Sequence, residues 1–207
     1  KSENAKDSLS KDLKEFFHIY PKGQYPDFIG SSTRELYSEL LCLGLKFLSW
    51  INDNTENQIR KRFSIPLNKM AENSKTNLLR VIHYPPINKD EDFNAIRANP
   101  HADINLITLL VAGSEPGLQV QKKDGGWMDV SCDPGYIVIN SGDMLKEASN
   151  SYYPSTIHQV INPKKAQNNI SRFSMPMFIH PRDEVVLSAK HTAGSYLHER
   201  LTEIGLK

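Results

Sequence analysis

His101-Ala102-Asp103-Ile104-Asn105-Leu106-Ile107-Thr108-Leu109-Leu110-Val111 puts two polar, metal-capable side chains at the head of a nearly continuous apolar run. A run of that length, rich in β-branched residues, reads as a buried strand. Side chains alternate across a strand, so His101 and Asp103 are expected to share one face while Ala102 and Ile104 take the other. Further along, His158 sits in Thr156-Ile157-His158-Gln159-Val160-Ile161, mid-strand by the same reading. Arg172 and Ser174 alternate with Phe173 and Met175 in Arg-Phe-Ser-Met-Pro-Met-Phe. Strands distant in sequence can therefore aim polar groups into one interior, where buried polar atoms require partners.

Outward from this stretch, the texture is that of short strands separated by turns. Leu78–Tyr84 stops at Pro85-Pro86, which no central strand accommodates. Leu118–Gln121 and Trp127–Val130 flank Lys123-Asp124-Gly125-Gly126, a hairpin signal. Tyr136–Ile139, Thr156–Ile161 and Phe173–Ile179 follow, each ended by a glycine or proline turn. Before them, Leu36, Leu40, Leu43, Phe47 and Ile51 recur at helical spacing, widened by Leu41, Leu45 and Leu48. Ser32 and Glu35 are spaced as a capping box for that helix. Residues 54–77 read as a second helix and a loop. Ala193, Tyr196, Leu197, Leu201 and Ile204 trace one face of a terminal helix ending at Gly205, expected on the barrel exterior or near its mouth. The fold class expected is mainly β with flanking helices, a double-stranded β-helix or jelly roll. A doubly wound parallel sheet fits poorly, because there are no helices between the strands. Residues 1–31 are expected to be an irregular lead-in, and 32–207 one jelly-roll domain with supporting helices.

Bulk properties narrow the function classes. With 207 residues and a formal net charge of +1, the chain can bury one core but offers no general electrostatic hold on nucleic acid or a membrane surface. No apolar stretch approaches the ~20 residues that cross a bilayer. Cys42 and Cys132 lie in unrelated contexts, which favours reduced thiols and a cytoplasmic setting. A start at Lys1 rather than methionine points to a fragment or processed product.

Two histidines and one carboxylate form the facial ligand set of mononuclear non-haem Fe(II) centres, which leaves the remaining metal positions open. Structural zinc is the competitor, but it prefers four protein ligands and more sulfur. His101, Asp103 and His158 are thus the candidate iron ligands, and Arg172 with Ser174 the candidate carboxylate grip. Charges agree: ferrous iron, Asp103, a dicarboxylate and Arg172 together sum to zero, and a neutral assembly is far easier to bury than any unpaired member. His18, His83, His180, His191 and His198 lack a ligand pattern and read as structural or solvated.

At these residues the chain resembles the isopenicillin N synthase-like branch of the Fe(II)/2-oxoglutarate-dependent oxygenases. The likeness runs from R-V-I-H-Y-P-P (80–86) through H-A-D-I-N-L-I-T-L-L (101–110), G-L-Q-V, W-M-D-V, I-V-I-N-S-G-D and S-T-I-H-Q-V to R-F-S-M-P-M-F (172–178). Looser similarity reaches D-L-K-E-F-F-H-I near the start and T-A-G-S-Y-L-H-E-R-L near the end. The resemblance implies a dioxygenase with Fe(II) as cofactor and 2-oxoglutarate as co-substrate. His101, Asp103 and His158 would hold iron, while Arg172, Ser174 and Tyr84 would hold the distal carboxylate. A small molecule would be oxidised by O2, most often hydroxylated, with release of succinate and CO2. Two departures are Ile82, where many relatives carry asparagine, and Gln159, where arginine is frequent. The relatives' N-terminal region is largely missing, with residues 1–31 as its remnant, so the prime substrate is not legible. Two alternatives stay open: an Fe(II) oxidase of the isopenicillin N synthase type, whose Arg-Ser pair binds the substrate's own carboxylate, and a non-catalytic β-sandwich binding module.

Overall fold

The computed structural model describes residues 12–23, 25–26, 29–87, 95–163 and 169–205. The elements run β1 (Glu15–Ile19), α1 (Ser32–Asn54), α2 (Asn57–Arg60), α3 (Leu67–Ala71), β2 (Leu78–Tyr84), β3 (Ala98–His101), β4 (Ile107–Val111), β5 (Leu118–Gln121), β6 (Trp127–Asp129), β7 (Ile137–Ser141), α4 (Asp143–Ala148), β8 (His158–Val160), β9 (Arg172–Ile179) and α5 (Ala193–Glu203). Two antiparallel sheets result, one in the order β1-β2-β9-β4-β7 and the other β3-β8-β5-β6. This is the expected jelly roll.

The alternation along β9 explains the layering. Met175, Met177 and Ile179 point to one side and join the main hydrophobic core with Leu79, Ile107 and Leu109. Arg172, Ser174, Pro176 and Phe178 point to the other side and line a cavity between the sheets. Helix α1 covers the first side. Its most buried positions are Tyr37, Leu40, Gly44, Leu48 and Asn52, and the expected Leu36, Leu41, Leu43, Leu45, Phe47 and Ile51 flank them, partly buried against the same core. A Cβ on Gly44 would lie 2.9 Å from the Ile179 side chain, so the glycine admits the helix close to β9. A second cluster, Ile82, Tyr84, Ala98, Leu118 and Val160, ties the two sheets together at the far end of the cavity.

Several expectations need correction. Residues 15–19, read as part of an irregular lead-in, form β1 and pair with β2 from Glu15↔His83 to Ile19↔Leu79. Residues 1–11 of that lead-in lie outside the described residues. Ser32 makes no capping box, because the N-cap is Ser31 and carries no side-chain cap bond. The capping box lies instead at α5, where the Thr192 side chain accepts from the Ser195 amide and the Ser195 hydroxyl accepts from the Thr192 amide. The apolar run from Ile104 is strand only from Ile107, and β3 and α4 had no expectation. Gly125, with φ 84°, makes the hairpin turn as expected.

Candidate metal centre and carboxylate pocket

His101, Asp103 and His158 converge, each offering one ligand atom within 4.8 Å of the others. The route differs from simple strand alternation. His101 ends β3 and stands directly across from His158, the first residue of β8. Asp103 lies beyond β3 in the turn leading to β4. The two imidazoles are 4.4 Å apart between centroids, and Asp103 Oδ1 is 3.7 Å from His158 Nε2.

Each candidate ligand is oriented by a neighbour. His101 Nδ1 is 2.7 Å from the Asn99 carbonyl, and His158 Nδ1 is 3.1 Å from the Thr156 carbonyl. A carbonyl only accepts, so both Nδ1 atoms carry the proton and each Nε2 of a neutral ring keeps a lone pair for a metal. Burial first, and then His158 beside it, pushes His101 down to about 4, so that ring is neutral at neutral pH. Asp103 is buried, and its Oδ2 accepts from Thr108 Oγ1 at 2.6 Å and Asn140 Nδ2 at 2.8 Å. Burial alone pushes the Asp103 carboxyl up, but His158, His101, Thr108 and Asn140 together hold it below the usual carboxylate range. One oxygen is thus tied to the protein and the other remains for a cation. Two nitrogens and one hard oxygen suit ferrous iron and fall short of a structural zinc site.

The cavity has a volume of about 1040 Å³ and passes from this cluster to the far end of the barrel. Arg172 is buried there, its guanidinium 5.3 Å over the Tyr84 ring. Its Nε donates to the Glu115 carbonyl at 2.9 Å, while Nη1 is buried with no hydrogen-bond partner. An orphaned guanidinium N–H on a side chain that lines the cavity calls for an anion, and a carboxylate fits its fork. Gly113 makes room for this side chain, since a Cβ there would come within 2.7 Å of Arg172 Nη2. Ser174 lines the same wall, two residues along β9. Tyr84 lines it from β2, its phenol pushed up to about 12 by burial against the pull of Arg172, so the hydroxyl remains a donor.

The six residues singled out from the sequence therefore border one cavity. Sequence reasoning missed Thr108 and Asn140, although their alternation on β4 and β7 would have turned both inward. It also missed His18 and His180, read as structural or solvated, which line the cavity as well. His180 is buried, its Nδ1 has no hydrogen-bond partner, and burial pushes it down to about 4. Helix α5 contributes Leu197, Arg200 and Leu201 to the cavity wall, so it sits at the mouth. Among the described residues, no helix is long and apolar enough to cross a membrane, and both cysteines are free.

A family model described as the 2OG-Fe(II) oxygenase superfamily matches residues 75–181. The fold overlays a solved Shewanella oneidensis protein described as an oxygenase with a TM-score of 0.86 at 48% identity, covering 99% of this chain and 76% of that one. A full-length Neurospora crassa protein, solved in complex with alpha-KG (2-oxoglutarate), overlays with a TM-score of 0.73 at 25% identity, over 92% of this chain and 65% of that one. Flavonol synthase/flavanone 3-hydroxylase of Matthiola incana is 34% identical over 110 residues, 53% of this chain. The match spans only 35% of that curated relative's length.

Proposed function

The chain belongs to the 2OG-Fe(II) oxygenase superfamily, and from that premise we propose that it oxidises a small molecule with dioxygen at an iron held by His101, Asp103 and His158. The observation that carries the reading is the pairing of an oriented His-Asp-His cluster with a buried, anion-seeking arginine in one cavity. When bound, iron and 2-oxoglutarate would supply the oxidising power, with decarboxylation to succinate and CO2 coupled to oxidation of the substrate, most often as hydroxylation. The domain responsible is residues 32–207, with β1 added to the edge of its larger sheet. Two free thiols, Cys42 exposed, fit a reducing compartment such as the cytoplasm.

The chain's own groups do the positioning. Arg172 offers Nη1 to the distal carboxylate of 2-oxoglutarate, and Ser174 and the protonated Tyr84 hydroxyl offer further donors. Thr108 and Asn140 fix the carboxylate plane of Asp103. The remaining wall, with Phe16, Phe178, Leu197 and Leu201, is mostly apolar. A volume of about 1040 Å³ holds the co-substrate together with a compact organic substrate.

The test is anaerobic addition of Fe(II) and 2-oxoglutarate, which should give a weak visible charge-transfer band that Asp103→Ala abolishes. Oxygen should then release succinate. Absence of both signals across a broad substrate screen would refute the proposal. Arg172 and Ser174 read a carboxylate whichever molecule carries it, so an Fe(II) oxidase that binds its substrate's carboxylate there is the second reading. Equal 2-oxoglutarate affinity in wild type and Arg172→Ala would favour that oxidase.

A further inference from the structure

Asp12 lies three residues before β1, in the segment expected as irregular lead-in, yet it is only 6% exposed. Its Oδ2 meets Lys14 Nζ at 2.7 Å, and both side chains are buried. Its Oδ1 accepts twice from one residue, from the Asn99 amide at 3.0 Å and from Asn99 Nδ2 at 2.7 Å. The amide of Leu13 donates to the Ile96 carbonyl at 3.1 Å. Residues 12–13 thus clasp the start of β3. Asn99 is also the residue whose carbonyl accepts from His101 Nδ1, at 2.7 Å. An unbroken chain of contacts therefore runs from Lys14 through Asp12 and Asn99 to His101. Asp12, Lys14 and His101 all line the cavity.

Strand β3 has use for such a clasp. Its register with β8 slips between Ala98 and His101, and Pro100 has no amide to donate. Proline also restricts the residue before it to extended backbone, so an anchor on Asn99 fixes the direction of its carbonyl. We propose that Asp12 is a positioning residue for the metal centre: by holding Asn99 it keeps the proton on Nδ1 of His101 and leaves Nε2 aimed at the metal. The inference rests on the reading of His101 as a metal ligand. A carboxylate that merely pinned the lead-in to the barrel could use any donor. This one directs both bonds of one oxygen at the residue that sets the His101 tautomer. Metal affinity then depends on a segment that precedes the jelly roll proper, as it does on any support behind a ligating imidazole.

The experiment varies position 12 in a Lys14→Met background, so that no buried ammonium is left unpaired. Asp12→Asn keeps an oxygen for Asn99 and removes the charge; Asp12→Ala removes the oxygen. Mn(II) affinity is measured by anaerobic calorimetry on the full chain, and the His101 tautomer by nitrogen NMR of the histidine-labelled, metal-free protein. With Asp12→Asn, Mn(II) should bind within about threefold of wild type, and with Asp12→Ala about tenfold more weakly, the lower end for loss of a support behind a ligating histidine. The Asp12→Ala protein should also show His101 as a mixture of Nδ1–H and Nε2–H forms. Equal affinities in the two variants, or an unmixed His101 tautomer with Asp12→Ala, would overturn the proposal, even where the melting temperature falls. If the Asp12→Ala protein does not fold, Asn99→Ala carries the test. Losing the 2.7 Å bond alone should weaken Mn(II) about threefold, and an unchanged affinity would overturn the proposal. Wild-type Mn(II) affinity in His101→Ala would instead show that the assignment of the metal centre itself is wrong.

Discussion

Thr108→Val tests whether the metal centre is held by its supports or merely by its ligands. Valine has nearly the volume of threonine, but it removes the hydroxyl that donates to Asp103 Oδ2 at 2.6 Å. A hydrogen bond to a charged group contributes about 1.5–3 kcal/mol. Removing a partner of a metal-ligating carboxylate costs roughly 10–100-fold in metal affinity, about 1.4–2.7 kcal/mol on the same scale. The two estimates agree, so Fe(II) or Mn(II) should bind Thr108→Val about 10–100-fold more weakly. Stability should fall less, because Asn105 Nδ2, which also donates to Thr108, keeps the Ile107 carbonyl at 3.0 Å. The Asn140 amide donates to the same oxygen at 2.8 Å and retains part of the hold when Thr108 is lost. The double variant with Asn140→Leu should therefore lose more than the two single losses summed. Anaerobic calorimetric titration gives the affinities, and a thermal melt without metal gives the stability. Metal affinity within twofold of wild type in Thr108→Val would refute the idea that Asp103 is aimed by these two donors.

Gly113→Ala should displace the Arg172 guanidinium, whose Nη2 lies 2.7 Å from the new Cβ, and weaken 2-oxoglutarate binding about tenfold, the worth of one charge-assisted bond; an unchanged dissociation constant would count against it. His180 is neutral when folded, with its ordinary 6.5 lowered to about 4, so the unfolded chain takes up a proton first as pH falls. Its contribution is therefore complete above pH 6.5 and lost as pH drops toward 4, a change of about 3 kcal/mol at 1.36 kcal/mol per pH unit. Denaturant melts of His180→Gln should show a flatter pH dependence across that window, with His101 supplying what remains. Truncation after Thr192 removes α5 and should lower the melting temperature by about 5 °C, given ~2–4 °C per kcal/mol for a chain of this size. An unchanged melt with altered substrate turnover would make α5 a lid.

The strands that packing alone specifies were readable. Both β2 and β5 have their expected bounds: β2 is a mostly apolar run stopped by Pro85-Pro86, and β5 an alternating Leu-Gln-Val-Gln stretch leading into the hairpin turn. β3 was not readable, because Ala98-Asn-Pro-His101 has no strand character of its own and is strand only through β8. β1 was missed for a similar reason: its partner β2 lies far along the chain. The apolar spacing on α1 predicts the face that packs on the core, but not that its centre is Gly44, because close approach to Ile179 leaves no apolar signal in the sequence. At the candidate site, histidine, aspartate and arginine stood out by residue type. Thr108 and Asn140 did not, because a threonine or asparagine supports a ligand only once distant strands have set who its neighbour is.

The cross-strand pair His101↔His158 is one of two registered pairs between β3 and β8, and the register slips between them. Among the described residues β3 has no strand on its other side, so it is a short, weakly zipped edge. An ion clasping both imidazoles would work as a rivet at that seam, joining two margins that backbone bonding alone holds loosely. Amide exchange should then slow at Ala98, Asn99 and His101 before anywhere else when metal is added, making cofactor loading visible as a local tightening of the barrel's rim.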